Sequence, residues 1–206
     1  MNIAVAQSGG PTCAINASLL GVIKEALKVQ SIGTIYGSVN GIEGIINDHL
    51  VDLKTAIRTN EDMELLRQTP STVLGSCRYK LPDASQDAEV YKTITDCFDR
   101  HDIKAFFYIG GNDSMDTVNK LSKYFKEINK DIKVIGVPKT IDNDLCETDH
   151  TPGFGSAAKY VATSVQEIAR DSSVYSIKSV TIVEIMGRHA GWLAASSSTL
   201  HANGEE

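Results

Sequence analysis

Two carboxylates stand two residues apart in Thr140-Ile141-Asp142-Asn143-Asp144, directly after Pro138-Lys139. On a loop, such a pair can divide labour, one group accepting a proton and the other orienting a metal-bound phosphate. The same residue types also suit an Asx turn, in which short polar side chains bond neighbouring backbone. Glycine pairs occur in Ser8-Gly9-Gly10 and in Gly110-Gly111-Asn112-Asp113-Ser114. Between a strand and a helix, glycine lets backbone N–H groups approach a phosphate closely, at the positive end of the helix dipole. One such pair is explained by a tight turn alone; two at matching strand ends point to a shared anion site. Lys139, and Arg78 in Gly75-Ser76-Cys77-Arg78, supply cations, although either by itself reads as an ordinary surface residue. Neither the P-loop pattern nor the GxGxxG dinucleotide pattern occurs, so a phosphate here would need a different cradle.

Positioning these loops falls to an open α/β fold, in which ligands sit beyond the carboxyl ends of the strands. Short apolar runs, glycine turns and helical spacing alternate along the chain. Strands are predicted over 3–7, 32–39, 105–109, 132–137 and 180–185. Helices are predicted from Ile15 to Leu27 and over 62–68, 87–100, 114–127, 155–170 and 189–201, with 40–44 read as a turn. Strands that read as unbroken apolar runs are covered on both faces, as in parallel sheets. The expected fold class is α/β: an open, mainly parallel sheet with helices on both faces. The last helix closes on a glycine signal at Asn203-Gly204 with nothing after it, so the fold is expected to be incomplete at its C-terminus.

Composition excludes several classes. With 42% hydrophobic and 22% charged residues, the chain is neither disordered nor fibrous. Its 20 basic and 26 acidic residues leave a net charge of −6, so nucleic acid and anionic membranes are not expected partners. No apolar run is long enough for a membrane helix, and the N-terminus lacks a basic signal region. Cys13, Cys77, Cys97 and Cys146 form no CxxC pair and read as reduced thiols, which suits a cytoplasmic location.

Taken in order, Ser8 to Thr12, Gly75 to Arg78, Gly110 to Ser114, Pro138 to Asp144 and Met186-Gly187-Arg188-His189-Ala190-Gly191 resemble the phosphofructokinase family over essentially the whole chain. Asp113 and Lys139, where ATP-using members have glycines, resemble its pyrophosphate-dependent branch. So do Gly10-Pro11-Thr12 and Gly191-Trp192. The resemblance implies a phosphotransferase of glycolysis that moves a phosphoryl group from pyrophosphate to the 1-hydroxyl of fructose 6-phosphate, with Mg²⁺. Asp142 would be the general base, with Thr140 and Arg188 beside it as catalytic residues. Gly10, Arg78, Asp113 and Lys139 would hold the donor phosphates. Thr140, Asp142, Asp144, Met186, Gly187 and Arg188 would contact the sugar phosphate. Asp144 would also help hold the metal.

The chain departs from the family pattern at two places. Asn112 stands where members commonly carry an Asp that helps hold Mg²⁺, and a neutral amide is a weaker metal partner. Near residue 180, where many members place an Arg that reaches another subunit, this chain has Lys178 and Ser179. The resemblance divides the chain into a phosphate-donor domain over 1–145 and the start of a truncated sugar-phosphate domain over 146–206. It also implies a homo-oligomer in the full-length form, while the 206-residue chain alone is expected to be inactive. Alternative readings are an ATP-dependent 6-phosphofructokinase and a truncated, non-catalytic subunit that binds phosphoesters.

Overall fold

The computed structural model describes residues 1–203 and divides into two compact units, Met1–Lys139 and Thr140–Glu206. In the first unit, β1 (Asn2–Gln7) is the centre of a five-stranded sheet. Its alternating side chains feed two cores. Ala4 and Ala6 pack on one face, and Ile3 and Val5 on the other. Every one of these four is at most 2% exposed, which requires helices on both faces.

The second face is covered by α1 (Ile15–Leu27), whose Ile15, Leu19 and Ile23 recur at helical spacing, and by Leu66 of α4 (Asn60–Gln68). The first face is covered by α2 (Ile42–Ile46), α5 (Ala88–Arg100) and α6 (Asn112–Glu127) through Ile45, Ile94, Phe98, Leu121 and Phe125. The sheet runs β3-β2-β1-β4-β5, with β2 at Ile35–Ser38, β3 at Leu50–Asp52, β4 at Ile103–Gly110 and β5 at Lys133–Pro138. All pairs are parallel except the short edge strand β3, which runs antiparallel to β2 and leads into α3 (Leu53–Ala56). The chain crosses from one side of β1 to the other between β2 and β4. That reversal places the carboxyl ends of β1 and β4 side by side, where open α/β sheets bind ligands.

The segment expected as a turn over 40–44 holds the start of α2 instead. Its conformation is set at long range: the Tyr108 hydroxyl accepts from the Ile42 N–H at 3.3 Å, and Ser38 Oγ donates to the Gly41 carbonyl at 2.6 Å. The unit boundary falls after Lys139, whereas the sequence division fell after residue 145.

The second unit holds the long helix α7 (Phe154–Ser173), the single turn α8 (Trp192–Ala195) and a 3₁₀ segment, Ser196–Asn203. The helix expected over 189–201 is thus broken into two short pieces, and the cap expected at Asn203-Gly204 runs beyond the described residues. The strand expected over 180–185 is not formed. A strand needs a neighbouring ladder for its N–H and C=O groups, and among the described residues the second unit holds no other strand. Val180 and Ile182 are 91% and 90% exposed as a result.

Nor does α7 bury any residue. Tyr160, Val174, Ile177 and Met186 are each at least 69% exposed. Large apolar side chains left in water drive association. The 206-residue chain should therefore enhance the fluorescence of an apolar dye and self-associate with rising concentration in light-scattering chromatography. A dark, strictly monomeric species with native circular dichroism would contradict this.

Candidate active site

In the first unit, β1 and β4 end in register, Gln7 opposite Ile109, and β4 and β5 likewise, Gly110 opposite Pro138. The three following loops therefore leave the sheet at one level. Gly9 turns the chain with φ +78°, a conformation that disfavours any residue with a Cβ. At Gly110 the reason for glycine is contact: a Cβ there would lie 2.1 Å from Ser114 Oγ. The close approach lets the buried Ser8 and Ser114 hydroxyls bond each other, tying the first turn to the first turn of α6. Asn112 and Asp113 occupy the N-terminal turn of α6, with their side chains exposed. Free N–H groups at such a helix start favour an anion.

Lys139 joins this cluster from the end of β5. Its backbone N–H donates to Gly110 at 2.9 Å, and its ammonium, on a side chain only 5% exposed, donates to the Gly10 carbonyl. The ammonium lies 3.5 Å from the place a Gly9 Cβ would take, so it sits directly over the first glycine turn. Gly10 and Lys139, both expected at a donor-phosphate site, are thus brought together. Asp113 is not drawn to them: its carboxylate lies 3.7 Å from the Lys80 ammonium and is 67% exposed.

Arg78 is exposed and makes no ion pair with another described residue, which leaves its guanidinium donors for a ligand. Its backbone is nevertheless held. The neighbouring Cys77 carbonyl accepts from the Gly9 N–H at 3.2 Å, and Ser76 Oγ donates to the Gly9 carbonyl at 2.5 Å. Behind these lies a network that the sequence reading missed. Buried Gln7 donates to Asn16 Oδ1 at 2.9 Å and accepts from the Leu74 N–H at 3.0 Å. Buried Asn16 accepts from the Val73 N–H at 3.0 Å and donates to the Thr69 carbonyl at 2.9 Å. Two amides in an otherwise apolar strand and helix are the signal that could have revealed it, because buried amides are retained only when paired. With the donor-phosphate role that the resemblance implies for Arg78, Arg78→Ala should raise the KM for the phosphate donor and lower turnover as well, since a cation at a transferring group gains as charge shifts. Kinetics unchanged for both substrates would return Arg78 to the ordinary surface.

In the second unit, the loop after Lys139 closes on itself. Asn143, at φ +55° and buried, donates to the Asp149 carbonyl at 3.0 Å and accepts from the Thr151 N–H at 2.8 Å. Thr151 Oγ1 donates to the Thr140 carbonyl at 2.6 Å. The Asx-type role suggested for this run thus falls to Asn143, and the carboxylates are left for other work. Thr140 Oγ1 accepts from the Asp142 N–H at 3.1 Å and donates weakly to Asp144 Oδ1 at 3.4 Å. Thr140 and Asp142 are half-buried and Asp144 is exposed. Met186, Gly187 and Arg188 lie in an irregular, exposed segment, and no hydrogen bond or ion pair among the described residues links them to the 140–144 loop.

The arrangement is that of an open α/β sheet with glycine turns at the carboxyl ends of its strands, and comparison with known proteins gives its family. The phosphofructokinase family matches residues 2–203, so the chain belongs to it. The pyrophosphate–fructose 6-phosphate 1-phosphotransferase of Halomonas elongata is 44% identical over 200 residues, which cover 96% of this chain and 47% of that protein. A crystal structure of a pyrophosphate-dependent phosphofructokinase from Nitrosospira multiformis superposes with a TM-score of 0.90 at 44% identity, covering 100% of this chain and 51% of that one. An ATP-dependent 6-phosphofructokinase of Actinobacillus pleuropneumoniae is 32% identical over 199 residues, covering 95% of this chain and 55% of that protein. The chain spans about half the length of the curated relatives it matches.

Proposed function

We propose that this chain carries the chemical centre of a phosphotransferase that moves a phosphoryl group from pyrophosphate to the 1-hydroxyl of fructose 6-phosphate. The observation that carries this reading is the Lys139 ammonium over the Gly9-Gly10 turn, followed at once by a closed loop that frees two carboxylates. Asp142 takes the proton of the sugar hydroxyl as its oxygen attacks phosphorus. The bridging oxygen of pyrophosphate leaves as inorganic phosphate. Gly10, Arg78 and Lys139 hold the donor oxygens, and Met186, Gly187 and Arg188 contact the sugar phosphate. Little covalent work is asked of the protein, whose contribution is position and charge.

Mg²⁺ fits the residues present. It commonly takes one or two carboxylates plus substrate phosphates instead of an all-protein cage. The exposed Asp144 carboxylate meets that need, whereas Asn112, a neutral amide, is a weaker metal partner. When bound, the ion neutralises charge on the phosphate oxygens. Pyrophosphate as donor is favoured over ATP by Lys139, which fills the space over the first glycine turn where a smaller residue would leave room. A place in glycolysis, a cytoplasmic location and assembly of identical subunits belong to the same reading.

The test is direct. The protein at the full length of its relatives, given pyrophosphate, fructose 6-phosphate and Mg²⁺, should form fructose 1,6-bisphosphate, and phosphate with the bisphosphate should run the reaction back. Absence of product in both directions from a folded protein would overturn the reading.

A further inference from the structure

Away from the glycine turns, the end of α5 lies against the turn between α2 and β3. Cys97 and His101 are four residues apart at this helix end, so their side chains share one face. Asp48 faces them both from a backbone at φ +55°. Its Oδ1 is 2.5 Å from His101 Nε2 and 3.6 Å from Cys97 Sγ, and the three ligand atoms all lie within 4.8 Å of one another. Among the described residues, no other group of three His, Cys, Asp or Glu side chains comes so close.

We propose that Asp48, Cys97 and His101 form a binding site for a borderline-soft divalent metal, zinc before others, with a fourth position open to water. Thiolate, imidazole and carboxylate are the three ligand types zinc takes. A tetrahedral zinc sets sulfur and oxygen ligands about 3.5 Å apart and nitrogen and oxygen about 3.3 Å apart. The Cys97–Asp48 separation already matches, and the His101–Asp48 pair need open by only about 0.8 Å. Access is available, because the His101 and Asp48 side chains are 25% and 35% exposed while Cys97 is buried behind them.

The surroundings support the ligands. Arg100 bonds Asp48 Oδ2, which leaves Oδ1 for the metal and fixes the carboxylate plane, as outer partners of metal ligands do. Tyr36 meets the His101 ring edge-on at 5.1 Å between centroids and limits its rotation. Burial, with Asp48 adding to it, pushes the Cys97 thiol up to about 12. A metal bound here therefore displaces the Cys97 proton to solvent and takes His101 through an unprotonated Nε2. The bound ion would staple the α2–β3 turn to α5. None of this depends on the phosphotransferase reading.

Chelator-stripped 206-residue chain, titrated with Co²⁺ alone, tests the site. One equivalent should produce a thiolate-to-cobalt charge-transfer band, which Zn²⁺ displaces. Cys97→Ala should remove the band, and His101→Gln should weaken binding by at least about tenfold. Cys13→Ala and Cys146→Ala should leave it unchanged. No band in folded wild type, or a band that survives Cys97→Ala, would overturn the proposal. Should Cys97→Ala fail to fold, His101→Gln decides: wild-type cobalt affinity in that variant would equally overturn it.

Discussion

Asp142→Asn, in the protein at the full length of its relatives, should lose turnover by about a hundred- to ten-thousand-fold while keeping its KM for pyrophosphate. A base acts only as the hydroxyl proton leaves, so its removal costs transition-state stabilisation and not ground-state binding. The structure makes the change a clean one. The loop is stapled by Asn143 and Thr151, not by Asp142, whose one hydrogen bond among the described residues is from its backbone N–H to Thr140 Oγ1. The amide variant should therefore fold and melt like wild type. Steady-state kinetics with a coupled bisphosphate assay provide the check. A fall of less than tenfold would move the role of base to Asp144, the second carboxylate of the same loop.

Replacing both Asp113 and Lys139 by Gly should weaken pyrophosphate use and admit ATP. Lys139 holds the central place, with its ammonium over the first glycine turn, so deleting it both removes a cation for the terminal phosphate and opens space for a longer donor. Losing a charge aimed at a transferring phosphate costs on the order of a hundred- to a thousandfold in rate. Asp113 stands in the first turn of α6, where its carboxylate would repel the extra phosphate of a nucleotide that reached that turn. Because that carboxylate is turned toward Lys80 and not toward Lys139, Asp113→Gly alone should gain little ATP activity. Specificity constants for each donor at saturating fructose 6-phosphate decide the matter. An unchanged donor ratio in the double variant would show that these residues do not choose the donor.

What could be read from the sequence was local. The strands β1, β4 and β5 are short apolar runs, β1 followed by the Gly9-Gly10 turn, β4 ending in Gly110 and β5 in Pro138, and those features place both the sheet and the loops at its edge. The pairing of Gly10 with Lys139 could be expected only through resemblance, because the two are 129 residues apart in sequence. Gln7 and Asn16 could have been flagged as amides in apolar surroundings, but their partners could not be read for the same reason, since Leu74 is 67 residues from its acceptor. Asn143 shows how composition misleads. In a run of acids and amides it resembles its neighbours, yet it alone is buried and bonded as the staple. The apolar run over 180–185 carries a strand's pattern without a strand's partner, and pairing, not propensity, makes a strand.

The central claim is that the site takes its phosphoryl group from pyrophosphate. It is tested most directly by one ratio, kcat/KM for pyrophosphate over kcat/KM for ATP, in the wild-type protein at the full length of its relatives with fructose 6-phosphate saturating. With Lys139 over the first glycine turn, the ratio should exceed about a hundredfold, the scale of one well-placed charge at a transferring phosphate. A ratio near or below one would contradict the account.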